Sequence, residues 1–135
     1  MAATTIVHRV AFYETDAMGV VHHSNYVRFL ELSRTAWLEQ HDRPYGEYVA
    51  LGIHLATTRV EVDYLKPLRF ADEVTVRTWL EWVRHASLRM AYSLVAAGRP
   101  IATGATEHAA IDGGGRVRRI PRERRDALRR LVAPG

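Results

Sequence analysis

The 135-residue chain contains no cysteine. That excludes disulfides, a thiol nucleophile and thiolate metal sites, and it fits a cytoplasmic setting. Lysine is nearly absent: Lys66 stands alone among 19 basic residues, the rest being arginine. No apolar run approaches the ~20 residues that a membrane-spanning helix needs. Residues 1–5 have neither a basic region nor an apolar core, so no secretory leader is expected. The chain lacks a Gly-rich phosphate loop of recognised form and the Gly-x-Ser-x-Gly elbow of serine hydrolases. Its seven histidines form no i, i+4 zinc signature with a carboxylate, so no metal is expected. With no repeats, linkers or low-complexity tracts, a single domain over residues 1–135 is expected.

Hydrophobic residues make up 47% of the chain and charged residues 25%, the balance of a soluble globular domain. The formal net charge is +4, which favours anionic partners. Eight arginines fall within residues 116–130, against only Glu123 and Asp126. No aromatics are interleaved with them, so nucleic acid is not an expected partner. This end reads as a solvated amphipathic face, or as a guide for an anionic substrate or carrier.

Residues 5–12 are rich in β-branched side chains and read as a strand. A loop with Gly19 follows. The period then becomes helical over Ser24–His41, with Tyr26, Leu30, Ser33 and Trp37 on one face and Val27, Phe29, Ala36 and Leu38 flanking it. Ser24 or Asn25 suits the N-cap. The apolar flank is broad, so a sheet should wrap this helix. Residues 45–51 suggest a short helical turn. Four strands follow: Thr58, Val60, Val62 and Tyr64 alternate with polar residues, as do Val74 to Trp82 and Leu88 to Leu94. Residues 101–111 form an alanine- and threonine-rich strand with Gly104 inside it, suited to lying against a helix or another subunit. Pro121 starts a short helix running to residue 131. One strand, one long helix and then four hairpin-linked strands argue an α+β fold with an antiparallel sheet.

The loop brings Asp16 and the pair His22-His23 to the mouth of the long helix. A carboxylate and an imidazole near a helix N-terminus can perform acyl chemistry. The carboxylate attacks or activates water, and the helix amides and dipole polarise a carbonyl. The bland reading of Asp16 is a turn cap, and that of the histidines is polar residues at a helix start. Being adjacent, the two histidine side chains are expected to diverge.

The run Asp16-Ala17-Met18-Gly19-Val20-Val21, with His23 and Asn25-Tyr26, resembles the signature of hotdog-fold acyl-CoA thioesterases. It is most similar to the 4-hydroxybenzoyl-CoA thioesterase family, close to the bacterial enzymes associated with the Tol–Pal system. The resemblance extends over residues 5–121. It implies a hotdog fold, an antiparallel sheet wrapped around one central helix, in a homodimer or homotetramer. It also implies hydrolysis of an acyl-CoA thioester to a free acid and coenzyme A, with no cofactor. Asp16 matches the catalytic carboxylate, as nucleophile or as base toward water. His23 matches a histidine that positions water or substrate, and one amide among His23, Ser24 and Asn25 would bind the thioester oxygen. Many relatives carry a phenol where this chain has Phe12; Tyr13, next to it, is the substrate-contact candidate here.

Coenzyme A needs cations for its phosphates. Arg59, Arg84, His85 and Arg89 are candidates, and the resemblance puts Arg84 and His85 first. Glu31 on the helix is a rival carboxylate, because other hotdog branches use one there. Two alternatives stand beside the acyl-CoA thioesterase: a thioesterase acting on acyl carrier protein, and a non-catalytic acyl-CoA-binding protein.

Overall fold

The computed structural model describes residues 2–133; the outer limits of the expected domain, residues 1 and 134–135, lie outside the described residues. The chain forms β1 (Ala3–Arg9), α1 (Ser24–His41), α2 (Tyr45–Ala50), β2 (His54–Tyr64), β3 (Glu73–Val83), β4 (Ser87–Ala96), β5 (Arg99–Ile111) and α3 (Arg122–Leu131). The five strands make one antiparallel sheet in the order β1-β3-β4-β5-β2. This is the α+β arrangement expected, with α1 laid on one face of the sheet.

Helix α1 buries Tyr26, Phe29, Leu30, Ser33, Trp37 and Leu38. The spacing is that of one helical stripe. Opposite it, the inner face of the sheet supplies Val74, Val76 and Leu80 from β3 and Leu88, Met90, Tyr92 and Leu94 from β4. Helix and sheet approach closely at Gly104. A Cβ there would stand 3.1 Å from Leu30 Cδ1 and 3.1 Å from the Glu61 carbonyl oxygen. The small-residue strand β5 therefore does lie against a helix.

Three local expectations are corrected. β1 ends at Arg9, and Phe12–Glu14 is a turn of 3-10 helix. The Ala11 amide is taken by the Glu14 carboxylate at 2.7 Å, and the Glu14 amide by the Ala11 carbonyl. That reciprocal cap bends the chain off the sheet after Val10. β5 starts two residues early, at Arg99. The alternation of β2 is not regular throughout: a bulge between Thr57 and Arg59 shifts the register, with Thr57 opposite His108 and Arg59 opposite Glu107.

Strand β2 forms one edge of the sheet and, among the described residues, pairs only with β5. Val60 and Tyr64 carry the alternation of a core strand, yet they are 41% and 49% exposed. On the outer face, Arg89 binds Glu81 at 2.8 Å, Glu107 at 2.7 Å and Glu61 at 3.2 Å. These carboxylates, Glu81 foremost, hold its guanidinium further above its ordinary pKa.

The basic end is more than a solvated face. Ile120 and Leu128 are buried, the Ile120 amide donates to the His85 carbonyl, and Arg124 lies over the Tyr48 ring at 4.9 Å.

Candidate active site

The loop after the 3-10 turn is a small hairpin. The Asp16 amide donates to the Val20 carbonyl, and the Gly19 amide returns to the Asp16 carbonyl, both at 2.9 Å. Gly19 sits at φ +77°, where a side chain is strained. Val20 bridges to Arg69, and the Val21 amide donates to the Leu68 carbonyl at 2.8 Å, so the hairpin is pinned to the segment between β2 and β3. Asp16 Oδ1 accepts the Met18 amide at 2.9 Å, the turn cap of the bland reading. Its Oδ2 takes no hydrogen bond among the described residues.

The opening of α1 is tied back to this loop. The His22 amide and the Asn25 side-chain amide both donate to the Glu14 carbonyl, at 2.9 and 2.8 Å. His22 Nδ1 accepts the Ser24 amide at 3.2 Å, and the Asn25 amide donates to the His22 carbonyl. Neither Ser24 nor Asn25 is the N-cap: His23 occupies that position, with no side-chain cap bond. The amides of Ser24 and Asn25 are thus engaged, while the His23 amide has no acceptor among the described residues. The two imidazoles do not diverge. Because His22 folds back onto Ser24, its ring stacks on that of His23 with centroids 4.1 Å apart.

His23 lines a cavity of about 270 Å³ with Val21, Tyr26, Tyr64, Leu65, Lys66 and Pro67. Tyr64 donates its hydroxyl to the His23 carbonyl at 3.0 Å, and its ring meets Tyr26 edge-on at 4.9 Å. Burial raises the Tyr26 phenol above its ordinary pKa, so it stays neutral. Tyr13 is 76% exposed and stands outside this cavity.

Two other sets lie away from the loop. Glu31 is seven residues along α1 from Ser24, roughly 10 Å down the axis. It faces Arg34 at 3.8 Å and lines a separate cavity of about 310 Å³. Arg84 and His85 lie farther still. Val10 meets Asp72, and Arg9 pairs with Glu73, so the Asp16 loop sits where β3 begins. Arg84 follows the last residue of β3, roughly 33 Å along the strand from Glu73. There it stacks on Trp82 at 4.1 Å. Within one protomer Arg84 and His85 are not brought to Asp16. Arg59 and Arg89, the remaining phosphate candidates, are occupied by Glu61 and Glu107.

Several features of the structure were not anticipated. Tyr64 read only as a strand residue, and Glu14 only as a loop residue. His108 is 1% exposed between Thr57 and Thr106, with ring nitrogens 3.2 and 2.8 Å from their hydroxyls. Burial, assisted by the Arg34 charge, pushes its pKa down to about 3, so it is neutral near pH 7. The only sequence signal for these residues was a polar side chain at an inward-facing or turn position.

A five-stranded antiparallel sheet around one long helix, with a carboxylate loop at the helix mouth, defines a hotdog-fold enzyme domain. The chain belongs to the thioesterase-like superfamily, whose sequence family matches residues 10–130. It is 32% identical to a 1,4-dihydroxy-2-naphthoyl-CoA hydrolase of Synechococcus over 115 residues, covering 82% of this chain and 87% of that protein. It is 34% identical to the acyl-CoA thioester hydrolase YbgC of Escherichia coli O157:H7 over 80 residues, 59% of this chain and 60% of that one. The crystal structure of TT1821, a hypothetical protein from Thermus thermophilus, superposes with a TM-score of 0.90 at 32% identity, covering 98% of this chain and 99% of that one. The chain is a thioester hydrolase.

Proposed function

We propose that the protein is an acyl-CoA thioesterase that releases a free carboxylic acid and coenzyme A, with water as the only co-substrate. The observation that carries this is a pair of groups unspent among the described residues: Asp16 Oδ2, without a partner, and the His23 amide, without an acceptor, both at the mouth of α1. The thioester oxygen accepts from the His23 amide, at the positive end of the α1 dipole. Either Asp16 attacks the carbonyl carbon, the thiolate of coenzyme A leaves and water then hydrolyses the acyl–Asp16 anhydride, or Asp16 takes the proton of an attacking water and the thiolate leaves from the tetrahedral intermediate. The His23 imidazole holds water or substrate. The relatives named for acyl-CoA hydrolysis support this substrate class. The finer placement, in the 4-hydroxybenzoyl-CoA branch close to the Tol–Pal-associated enzymes, rests on the Asp16–Tyr26 signature. A cytoplasmic location belongs to the same proposal; no helix among the described residues is long and apolar enough to cross a membrane.

Assembly completes the site. β2 is an unpaired edge eleven residues long, the kind of edge that pairs with another chain. Pairing two copies antiparallel through β2 lays the His54 end of one against the Tyr64 end of the other. The His54 end is also the Arg84–His85 end, since Ala110 bonds to Ala86 there. Arg84 and His85 then serve the phosphates of substrate held at the partner's Asp16. Two such dimers would make the homotetramer.

The test is free-thiol release over short, long and aromatic acyl-CoAs, with Asp16→Asn alongside. Asparagine keeps the size of aspartate but neither attacks as an anion nor accepts a proton. Turnover should fall about 10²–10⁴-fold with binding nearly unchanged. Thiol release from acyl carrier protein alone would favour the carrier-protein alternative, and binding without release the non-catalytic one. Loss of turnover in Glu31→Gln, with Asp16→Asn intact, would move the chemistry to the helix.

A further inference from the structure

Glu14 is the only buried carboxylate among the described residues, at 1% exposure. Its Oε1 accepts the Ala11 amide at 2.7 Å and His8 Nε2 at 2.9 Å; His8 reaches Oε2 at 3.2 Å. Arg28, in the first turns of α1, places its Nη1 3.6 Å from Oε2. Burial works against the charge, but the Ala11 amide, His8 and Arg28 outweigh it and hold the carboxyl below its ordinary pKa. The backbone of the same residue accepts the Asn25 side chain and the His22 amide. One residue thus clamps β1, the 3-10 turn and the start of α1, two positions before Asp16.

We propose that Glu14 is a positioning residue: it fixes the Asp16 hairpin against the opening of α1, so that the carboxylate and the His23 amide address the same thioester. The inference rests on the reading of Asp16 as the catalytic group. A cap for the turn does not require a charge, because a glutamine oxygen also accepts the Ala11 amide. The charge is what His8 and Arg28 engage. Substituting glutamine turns a donor toward one of them and loosens the clamp on the hairpin and on α1. Small misplacement of reacting groups is costly in rate, about 10²-fold for 1 Å.

The test is a double-mutant cycle of Glu14→Gln with Asp16→Asn, read as kcat and KM for one acyl-CoA and as Tm. Glu14→Gln alone should lower kcat about tenfold or more with KM within about twofold of the parent. In the Asp16→Asn background the further loss of residual kcat should be much smaller, because the carboxylate it aligns is already gone and only the His23 amide remains to be positioned. Tm should fall alike in both backgrounds. An equal loss of kcat in both backgrounds, or unchanged kcat in the single variant, overturns the inference and leaves Glu14 a structural cap. Wild-type kcat in Asp16→Asn alone instead overturns the catalytic reading of Asp16, and this inference with it. If Glu14→Gln does not fold, His8→Ala goes through the same cycle. It removes one partner of the carboxylate from outside the site, and the same pattern is expected.

Discussion

The Tyr64 hydroxyl donates to the His23 carbonyl at 3.0 Å, linking the last residue of an edge strand to the N-cap of the central helix. That carbonyl also receives the Tyr26 amide, at a longer 3.3 Å. The peptide that joins His23 to Ser24, at the mouth of α1, is therefore held partly from β2. Among the described residues β2 has no strand partner besides β5.

Tyr64→Phe tests this link. The ring and its edge-on contact with Tyr26 remain, and one hydrogen bond of roughly 0.5–1.5 kcal/mol is lost. We expect kcat/KM to fall about 2–10-fold, with Tm lower by at most a few degrees. Full activity in Tyr64→Phe would show that the His23 peptide is held without it.

Gly104→Ala probes a close approach of helix and sheet. The new methyl meets the Leu30 side chain, which can move, and the Glu61 backbone, which is held in the sheet. Destabilisation of about 1–3 kcal/mol is expected from denaturant unfolding. Combining it with Leu30→Ala should give less than the sum of the two single effects, since the truncated side chain makes room. Strict additivity would mean that the Glu61 carbonyl alone sets the limit.

The central helix was legible because its partner, the inner face of the sheet, lies in the same chain. Burial then follows the 3.6-residue period, and Tyr26, Leu30, Ser33 and Trp37 are buried as the spacing implies. Val60 and Tyr64 alternate just as regularly and stay exposed, because periodicity reports which face a side chain takes and not whether anything covers it. Asp16 and His23 stood out in a recognisable signature. Glu14 and His108 did not, because their roles come from burial and from contacts made far along the chain, such as His108 with Thr57. The remoteness of Arg84 from Asp16 follows from the length and direction of β3, which residue types do not carry.

His108 gives the fold a specific acid sensitivity. Its folded pKa of about 3 lies below the ordinary histidine value near 6.5, so the folded state favours the neutral ring. The unfolded chain binds a proton there first as pH falls. The contribution is complete above about pH 6.5 and is lost progressively toward pH 3, to an upper limit of roughly 5 kcal/mol. Glu14, with its carboxyl held low, loses its own contribution only below the ordinary carboxylate range. Tm should therefore already drop between pH 7 and pH 5. His108→Gln, which cannot titrate, should flatten that window and leave the steeper loss below it. An unchanged slope between pH 7 and pH 5 would assign the acid sensitivity to other groups.

The last prediction concerns how two copies share a site. If they pair through β2, no stable monomer should persist at micromolar concentration, and a sedimentation profile dominated by a 15.3 kDa species would rule the pairing out. Within the dimer, each Asp16 should work with Arg84 and His85 of the other copy. Arg84→Glu should then raise KM for acyl-CoA and spare kcat, while Asp16→Asn abolishes turnover. Mixing the two variants after reversible dissociation, assayed at low acyl-CoA, discriminates the arrangements. A mixed dimer has one site with neither group intact and one with both, because the Asp16→Asn copy lends its Arg84 to the other copy's Asp16. Random pairing of equal amounts should restore low-KM activity at about a quarter of all sites. If Arg84 acted within its own protomer, every site in the mixture would lack one group, and mixing would restore nothing. The roughly 33 Å between Arg84 and the start of β3 argues for the shared arrangement.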